Sequence, residues 1–359
     1  MRSLFGAIAA FILAFTPTLA QTYHPNIAAI NPASLISVNT PADVVAVRDS
    51  LRQQIFKSSS LPTLTPTFDF DYMDSVWAAV PNMGGVKRHT VWMSKGTRSI
   101  VWRFSPAVFR KPNDGRCGFI VHGGHSQNAT KPPYRNMISK LVELGCEVWT
   151  IDMPQEGQNT FDGVINTGRG YFDVDRYGRA HNNLQITADA TFNPLRFFMD
   201  APLAVVNDMT NRGITNIGMT GLSGGGWTTD LYSALDDRVD ISYSIAGSMP
   251  VYMRSWVPPM STGSFGDWEQ MQVPHLGVDY MDLYILAAVG PGSHHANIYI
   301  VNDDCCFGGY NGNHFASTVS GIAASLGGSY AVTYDTTVST HTVSAWAVNF
   351  IAGQVTSRF

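Results

Sequence analysis

The chain has 359 residues, 45% of them hydrophobic and 14% charged, with a formal net charge of -4. That is length for one large domain or two modest ones, with enough apolar residues for a packed core. The mild negative balance, without a Lys/Arg cluster, argues against a nucleic-acid surface and offers no steering of acidic substrates.

The first twenty residues, MRSLFGAIAAFILAFTPTLA, place Arg2 before an apolar run from Leu4 to Phe15, then Pro17 and small residues ending at Ala20. This order predicts a signal peptide over 1–20, cleaved between Ala20 and Gln21, and hence a secreted or periplasmic protein. The run is short for a bilayer crossing and no other segment is long and apolar enough, so no membrane span is expected. Residues 21–75 are rich in Pro, Ser, Thr and Asn around one short helix from about Val44 to Phe56. They read as an N-terminal extension packed on a main domain over 76–359.

From about His89 the pattern changes. HTVWMS and SIVWRFSP, separated by KGTR, predict a strand pair. CGFIVHGG is a strand ending in two glycines, PYRNMISKLVELG a helix closed by Gly145, and CEVWTIDMP another strand. Then follow the helix PLRFFMDAPLAVVNDMTNRG, the strand ITNIGMTG, the helix GGWTTDLYSALDD and the strand VDISYSIAG. ANIYIVND, HFASTVSGIAASLGG, SYAVTYDT and HTVSAWAVNFIAG close the chain as strand, helix, strand and helix. Strands apolar on both faces alternating with helices predict an α/β fold, a mostly parallel central sheet covered on each side. Two stretches, 155–191 and 249–291, break the rhythm at the carboxyl ends of strands and read as lid segments. Their aromatics, Tyr171, Phe172, Trp256, Phe265, Trp268 and Tyr280, suit either a cleft wall or the core of a lid.

Within GMTGLSGGGW a single serine stands among five glycines. Gly221-Leu-Ser223-Gly-Gly225 fits Gly-x-Ser-x-Gly, with a strand before it and a helix after it, as a nucleophile elbow requires. Side chains at Gly221 and Gly225 would collide with backbone there, and the turn lifts the Ser223 hydroxyl above the sheet. The Gly224 N–H, opening the helix, faces a developing oxyanion. A phosphate-binding loop is the rival, but its lysine is missing and the spacing is wrong.

Serine needs a base, and the chain has ten histidines. His341 follows the last strand and precedes the last helix, where a loop can bring an imidazole to Ser223. His24, His89 and His181 sit outside the useful strand ends, and His275, His294, His295 and His314 lie in connections. The acid that orients His341 is Asp303 or Asp304, adjacent at the end of ANIYIVNDD, with Asp335 ranked third.

The order Ser223, Asp303 or Asp304, His341 resembles that of the α/β-hydrolase superfamily over about 89–353, and within it secreted esterases and deacylases. His122-Gly-Gly-His125 resembles the superfamily's oxyanion loop, which implies that the N–H of Gly124 or His125 joins that of Gly224. Asp-Asp-Cys-Cys-Phe departs from the superfamily's Gly-x-x-Asp pattern. The resemblance implies a secreted serine hydrolase that cleaves an acyl or acetyl ester, small or polymer-borne, through an acyl-enzyme. A serine peptidase of the same fold and a non-catalytic binding protein are the alternatives. No cofactor is required, and a metal site from His122, His125, Asp303, Asp304 and Cys305 is set aside because histidines three apart on a glycine-rich loop rarely converge. Cys117 and Cys146 begin neighbouring strands, either as a disulfide or as two small buried thiols; Cys305 and Cys306 are either a ring or a separately packed pair. Asn128-Ala-Thr130 matches a glycosylation acceptor.

Overall fold

The computed structural model describes residues 23–111, 115–159, 164–166, 171–173, 181–260 and 262–359. The leader expected over 1–20 and part of the stretch 155–191 lie outside them. Helix α1, Pro41–Phe56, starts three residues before its expected Val44. Thr40 and Asp43 form a reciprocal capping box, and Pro41 occupies the first turn, where its missing N–H costs nothing. The extension also supplies strand β1, Thr67–Tyr72, at the edge of the sheet. An extended edge was not expected there, because TFDFDY alternates aromatic and acidic residues without a buried face.

The sheet continues with β2, Met83–Trp92, and β3, Arg98–Pro106, then β4, Arg116–His122. Helix α2, Tyr134–Glu143, leads to β5, Glu147–Ile151. In α2 the buried residues Tyr134, Met137, Ile138, Leu141 and Val142 repeat at three- and four-residue spacing, one apolar stripe for the sheet. A short antiparallel pair, β6 (Val164–Asn166) and β7 (Tyr171–Asp173), stands apart from the main sheet. Then come α3 (Arg196–Asn211), β8 (Ile214–Leu222), α4 (Gly224–Leu235) and β9 (Ile241–Ile245). Helix α5 (Tyr280–Ala288) precedes β10 (His294–Ile300), and α6 (Asn313–Ser325), β11 (Ser329–Asp335) and α7 (Ala345–Arg358) end the chain.

The nine-stranded order is β1-β2-β3-β5-β4-β8-β9-β10-β11. Strands β1, β2, β3 and β5 pair antiparallel in turn, and β5, β4, β8, β9, β10 and β11 run parallel. Residues of α3, α4, α5 and α6 form the core on one face, and those of α2 and α7 the core on the other. The mostly parallel, doubly covered α/β sheet expected from the alternating pattern is thus present. One element differs. Within 249–291, all nine residues of α5 are buried, packed on α4 and the sheet. YMDLYILAA is apolar on every side, so it shows no amphipathic period to mark it as a helix.

Strand order reverses at β4: its neighbour β5 follows by way of α2, whereas β8 lies on its other side. The crevice at the carboxyl ends of β4 and β8 is therefore the switch point where open α/β sheets bind ligands. His122, the last residue of β4, is in register with Gly221 near the end of β8.

A disulfide joins Cys117 and Cys146, which resolves the two readings of that pair, and ties β4 to the start of β5 across 29 residues of chain. Loop-closure entropy assigns such a link about 3.6 kcal/mol. The double variant Cys117→Ala/Cys146→Ala is expected to lose about 2–4 kcal/mol in denaturant unfolding while keeping its far-ultraviolet spectrum.

Candidate active site

Ser223 stands between β8 and α4 with φ 57° and ψ −126°. A non-glycine residue holds that conformation only where its surroundings enforce it. Here its N–H donates to the Ile245 carbonyl at 2.9 Å, and its carbonyl accepts from the Trp227 N–H at 2.9 Å. Two glycines make the turn sterically feasible. A Cβ on Gly221 would come within 2.3 Å of the Gly225 carbonyl carbon, and one on Gly225 within 2.5 Å of the His122 carbonyl oxygen. Both obstacles are backbone and cannot rotate away.

The turn opens into a cavity of about 570 Å³ whose wall includes Ser223, His125, His181, Trp268, Cys305 and Cys306. His341, on the loop between β11 and α7, has Nδ1 2.8 Å from Asp303 Oδ2. A carboxylate accepts, so Nδ1 carries the hydrogen and Nε2 presents a lone pair. That Nε2 is buried without a hydrogen-bond partner among the described residues. One ring nitrogen of His341 lies within 4.8 Å of both sulfurs of Cys305 and Cys306, which are bonded to each other and line the same cavity as Ser223.

The two acids left open by the sequence have different partners. Asp303 is buried after β10; beyond its bond to the imidazole, its Oδ1 accepts the N–H groups of Cys305 at 2.8 Å and Cys306 at 3.0 Å. Asp304 instead accepts the backbone N–H of His341 at 2.9 Å and so holds the loop. Asp335 accepts from Thr337 and Ser344 at the entry to α7 and makes no bond to the His341 ring.

On the other side of Ser223, the first N–H groups of α4, beginning at Gly224, have no intrahelical acceptor. The expectation for Gly124 needs correction. Its N–H already donates to the Tyr134 hydroxyl at 2.8 Å, and that hydroxyl donates to Gln127 Oε1. The His125 N–H has no acceptor among the described residues. His122 is buried, its Nδ1 2.8 Å from the Gly123 carbonyl. Burial pushes its pKa down to about 4, so it is a neutral ring that braces the loop. It does not converge with His125. Asp152 holds the same loop by accepting the Ala129 N–H at 2.6 Å and the Gln158 N–H at 2.9 Å.

Sequence reasoning missed two residues here: His181, which lines the cavity, and Glu269, to which it is bonded. Glu269 is fully buried, with Oε1 2.8 Å from His125 Nε2 and 3.2 Å from His181 Nδ1. Burial alone would raise the Glu269 pKa, but the hydrogen bonds and charges of the two imidazoles hold it down at about 2. Burial likewise opposes charge on His125, yet Glu269 and Asp267 outweigh it and its pKa is raised. The only local signal was an acid flanked by Trp268 in an otherwise irregular segment.

No protein-family model matches the chain, and no curated protein matches it in sequence. Solved structures do. Methylesterase BT1017 superposes with a TM-score of 0.59 at 14% identity, covering 89% of this chain and 65% of that one. This chain therefore spans less than two thirds of that protein's length. The acetyl xylan esterase from Paenibacillus sp. R4 gives a TM-score of 0.56 at 14% identity, covering 91% and 98% of the two chains. Acetyl xylan esterase 1 from Thermoanaerobacterium sp. JW/SL YS485 gives 0.55 at 15% identity, covering 90% and 96%. The fold is that of the α/β-hydrolases. In this α/β-hydrolase fold, no helix among the described residues is long and apolar enough to cross a membrane.

The backbone strain at residue 223 has a measurable consequence. Ser223→Gly is expected to be about 1 kcal/mol more stable than Ser223→Ala, since glycine alone relieves the positive φ. Gly225→Ala is expected to cost about 1–3 kcal/mol through overpacking. Denaturant midpoints compare all three; equal stabilities for Ser223→Gly and Ser223→Ala would show an unstrained turn.

Proposed function

We propose that this chain is a serine hydrolase that cleaves a carboxylic ester through Ser223, His341 and Asp303, with an acyl-enzyme intermediate. The observation that carries the reading is the combination of a strained serine at a helix N-terminus with an imidazole that is held by a buried carboxylate and lies beside the Cys305–Cys306 pair in the wall of the serine's cavity. His341 Nε2 takes the Ser223 proton as the hydroxyl oxygen bonds to the ester carbonyl carbon. The N–H groups of Gly224 and His125 receive the oxyanion. The C–O bond to the alcohol then breaks and His341 returns the proton to the leaving oxygen. Water, deprotonated by the same nitrogen, hydrolyses the acyl-enzyme, releases the acid and restores the serine.

Asp303 fixes the tautomer and stabilises the imidazolium as it forms. Asp304 acts only on the loop backbone. Several structural neighbours bear the names of esterases of polysaccharides, which supports an acetylated or otherwise esterified carbohydrate as the substrate class. The leader-like residues 1–20 and the Cys117–Cys146 disulfide support export to an oxidising compartment. His181 in the stretch 155–191 and Trp268 in the part of 249–291 that precedes α5 supply cavity walls, which supports a lid role for those parts alone.

Ser223→Ala is expected to abolish turnover and labelling by a reactive phosphonate while the protein stays folded; retained esterase activity would reject the assignment. Asp303→Asn is expected to lower kcat by about 10⁴-fold, the scale known for triads given the wrong tautomer. Asp304→Asn is expected to stay within about tenfold of wild type, since it leaves the Asp303 bond to the ring in place. Steady-state kinetics on p-nitrophenyl esters of increasing chain length and on acetylated sugars measures these variants and ranks the acyl groups.

A further inference from the structure

Beside the proposed nucleophile, one cluster collects more lone pairs than its hydrogens can satisfy. His181 Nε2 lies 2.7 Å from the Pro154 carbonyl oxygen. A carbonyl only accepts, so that nitrogen carries the hydrogen and, in a neutral ring, Nδ1 is a bare lone pair. Nδ1 sits 3.2 Å from Glu269 Oε1 and 3.1 Å from His125 Nε2. His125 Nε2 lies 2.8 Å from Glu269 Oε1 and its hydrogen can serve that edge, while Nδ1 faces Asp267 Oδ2 at 3.5 Å. The remaining carboxylate oxygen, Glu269 Oε2, is buried with no hydrogen-bond partner among the described residues, on a side chain that is 0% exposed.

Protons resolve this triangle poorly. A hydrogen on His125 Nε2 satisfies one edge but leaves the His181 Nδ1 lone pair against a carboxylate oxygen. A hydrogen on each inner nitrogen makes His181 a cation, turns two N–H groups toward one another across 3.1 Å and still leaves Oε2 bare. A dication takes both inner lone pairs and a Glu269 oxygen at once. Ligand atoms about 2.0–2.1 Å from a tetrahedral ion stand about 3.3–3.4 Å from one another, so the triangle needs to open by only a few tenths of an ångström. The outer nitrogens already have the partners that metal-bound imidazoles use, a backbone carbonyl for His181 and a carboxylate for His125. Glu156 and Asp267 line the adjoining cavity and add negative charge.

We propose that His125, His181 and Glu269 form a two-histidine, one-glutamate site for a divalent transition-metal cation of the Zn²⁺ class. Three protein ligands leave one position to be filled from the cavity. The ion pins together three segments distant in the chain: the loop after β4, the stretch at 181–187 and the segment that precedes α5. It also fixes the ring of His125, which covers Gly224 so closely that a Cβ on that glycine would lie 2.5 Å from His125 Cε1. A second group of ligand-type residues, Cys305, Cys306 and His341, is no rival, because its sulfurs are joined in a disulfide.

The test is calorimetric titration of ZnCl₂ into chelator-stripped protein, with metal content measured after dialysis and melting followed in parallel. Wild type is expected to take up a single equivalent and to melt at a higher temperature when loaded. His181→Ala and Glu269→Gln are each expected to weaken uptake at least about tenfold, the least effect seen even for supporting residues of metal sites. Absence of saturable uptake by wild type, or equal uptake by wild type and both variants, overturns the proposal. Should the variants fail to fold, Co²⁺ added to wild type decides the matter: the intense visible bands of a four-coordinate ion support the site, and the weak spectrum of the hydrated ion refutes it. Ester hydrolysis is read separately through Ser223→Ala, so loss of either reading leaves the other standing.

Discussion

The structure depends on a place where three backbones meet without side chains between them. The end of β4, the end of β8 and the first turn of α4 approach so closely that a single methyl group at residue 221 or 225 would strike main chain. Such contact is possible only at glycine, and it forces the residue between them into a conformation that serine does not choose by itself. The compensation is packing. Every residue of α4 is buried, with Trp227 and Tyr232 among the largest enclosed side chains in the molecule. A helix so enclosed cannot shift to relax the turn at its start. The hydroxyl is therefore presented by the whole core, and not by a loop.

Two histidine–carboxylate pairs lie at or beside residues that wall the resulting cavity, and they differ in how their carboxylates are held. The Asp303 carboxylate is fully engaged, one oxygen on the His341 ring and the other on two backbone N–H groups. A carboxylate held that way stays in place while its partner gains and loses a proton. Glu269 is less completely satisfied: one oxygen is shared by two imidazoles and the other has no partner among the described residues. Its pKa is held down by the hydrogen bonds and charges of those two imidazoles, against the effect of burial. In the proposed function the first pair moves a proton, and in the proposed metal site the second holds a cation.

Much of this was legible in residue order. The strand–helix alternation marked the sheet because strands buried on both faces are apolar throughout. The serine was visible from its glycines, and His341 and the Asp303–Asp304 pair from their position after strands β11 and β10. Choosing between the two aspartates was not legible, because adjacent residues on a turn differ only in where their side chains point. Nor did anything local reveal that the Tyr134 hydroxyl occupies the Gly124 N–H. Helix α5 and strand β1 escaped for opposite reasons, one apolar on all sides and the other exposed along nearly its whole length. Glu269 and His181 come together across 88 residues through segments without periodicity, a meeting that only tertiary packing reveals.

The brace formed by α1 has a bearing on how the chain is made. Arg48 donates to the Ala234 carbonyl at the end of α4 and to the Leu286 carbonyl near the end of α5, contacts separated by 186 and 238 residues. A ribosome delivers this arginine long before either carbonyl exists. The amino-terminal arm must consequently wait undocked through most of synthesis, its apolar residues Leu51, Ile55 and Phe56 still exposed. Closure over such a span makes docking of the arm a late event in folding, and leaves the nascent chain most in need of protection from self-association until that moment.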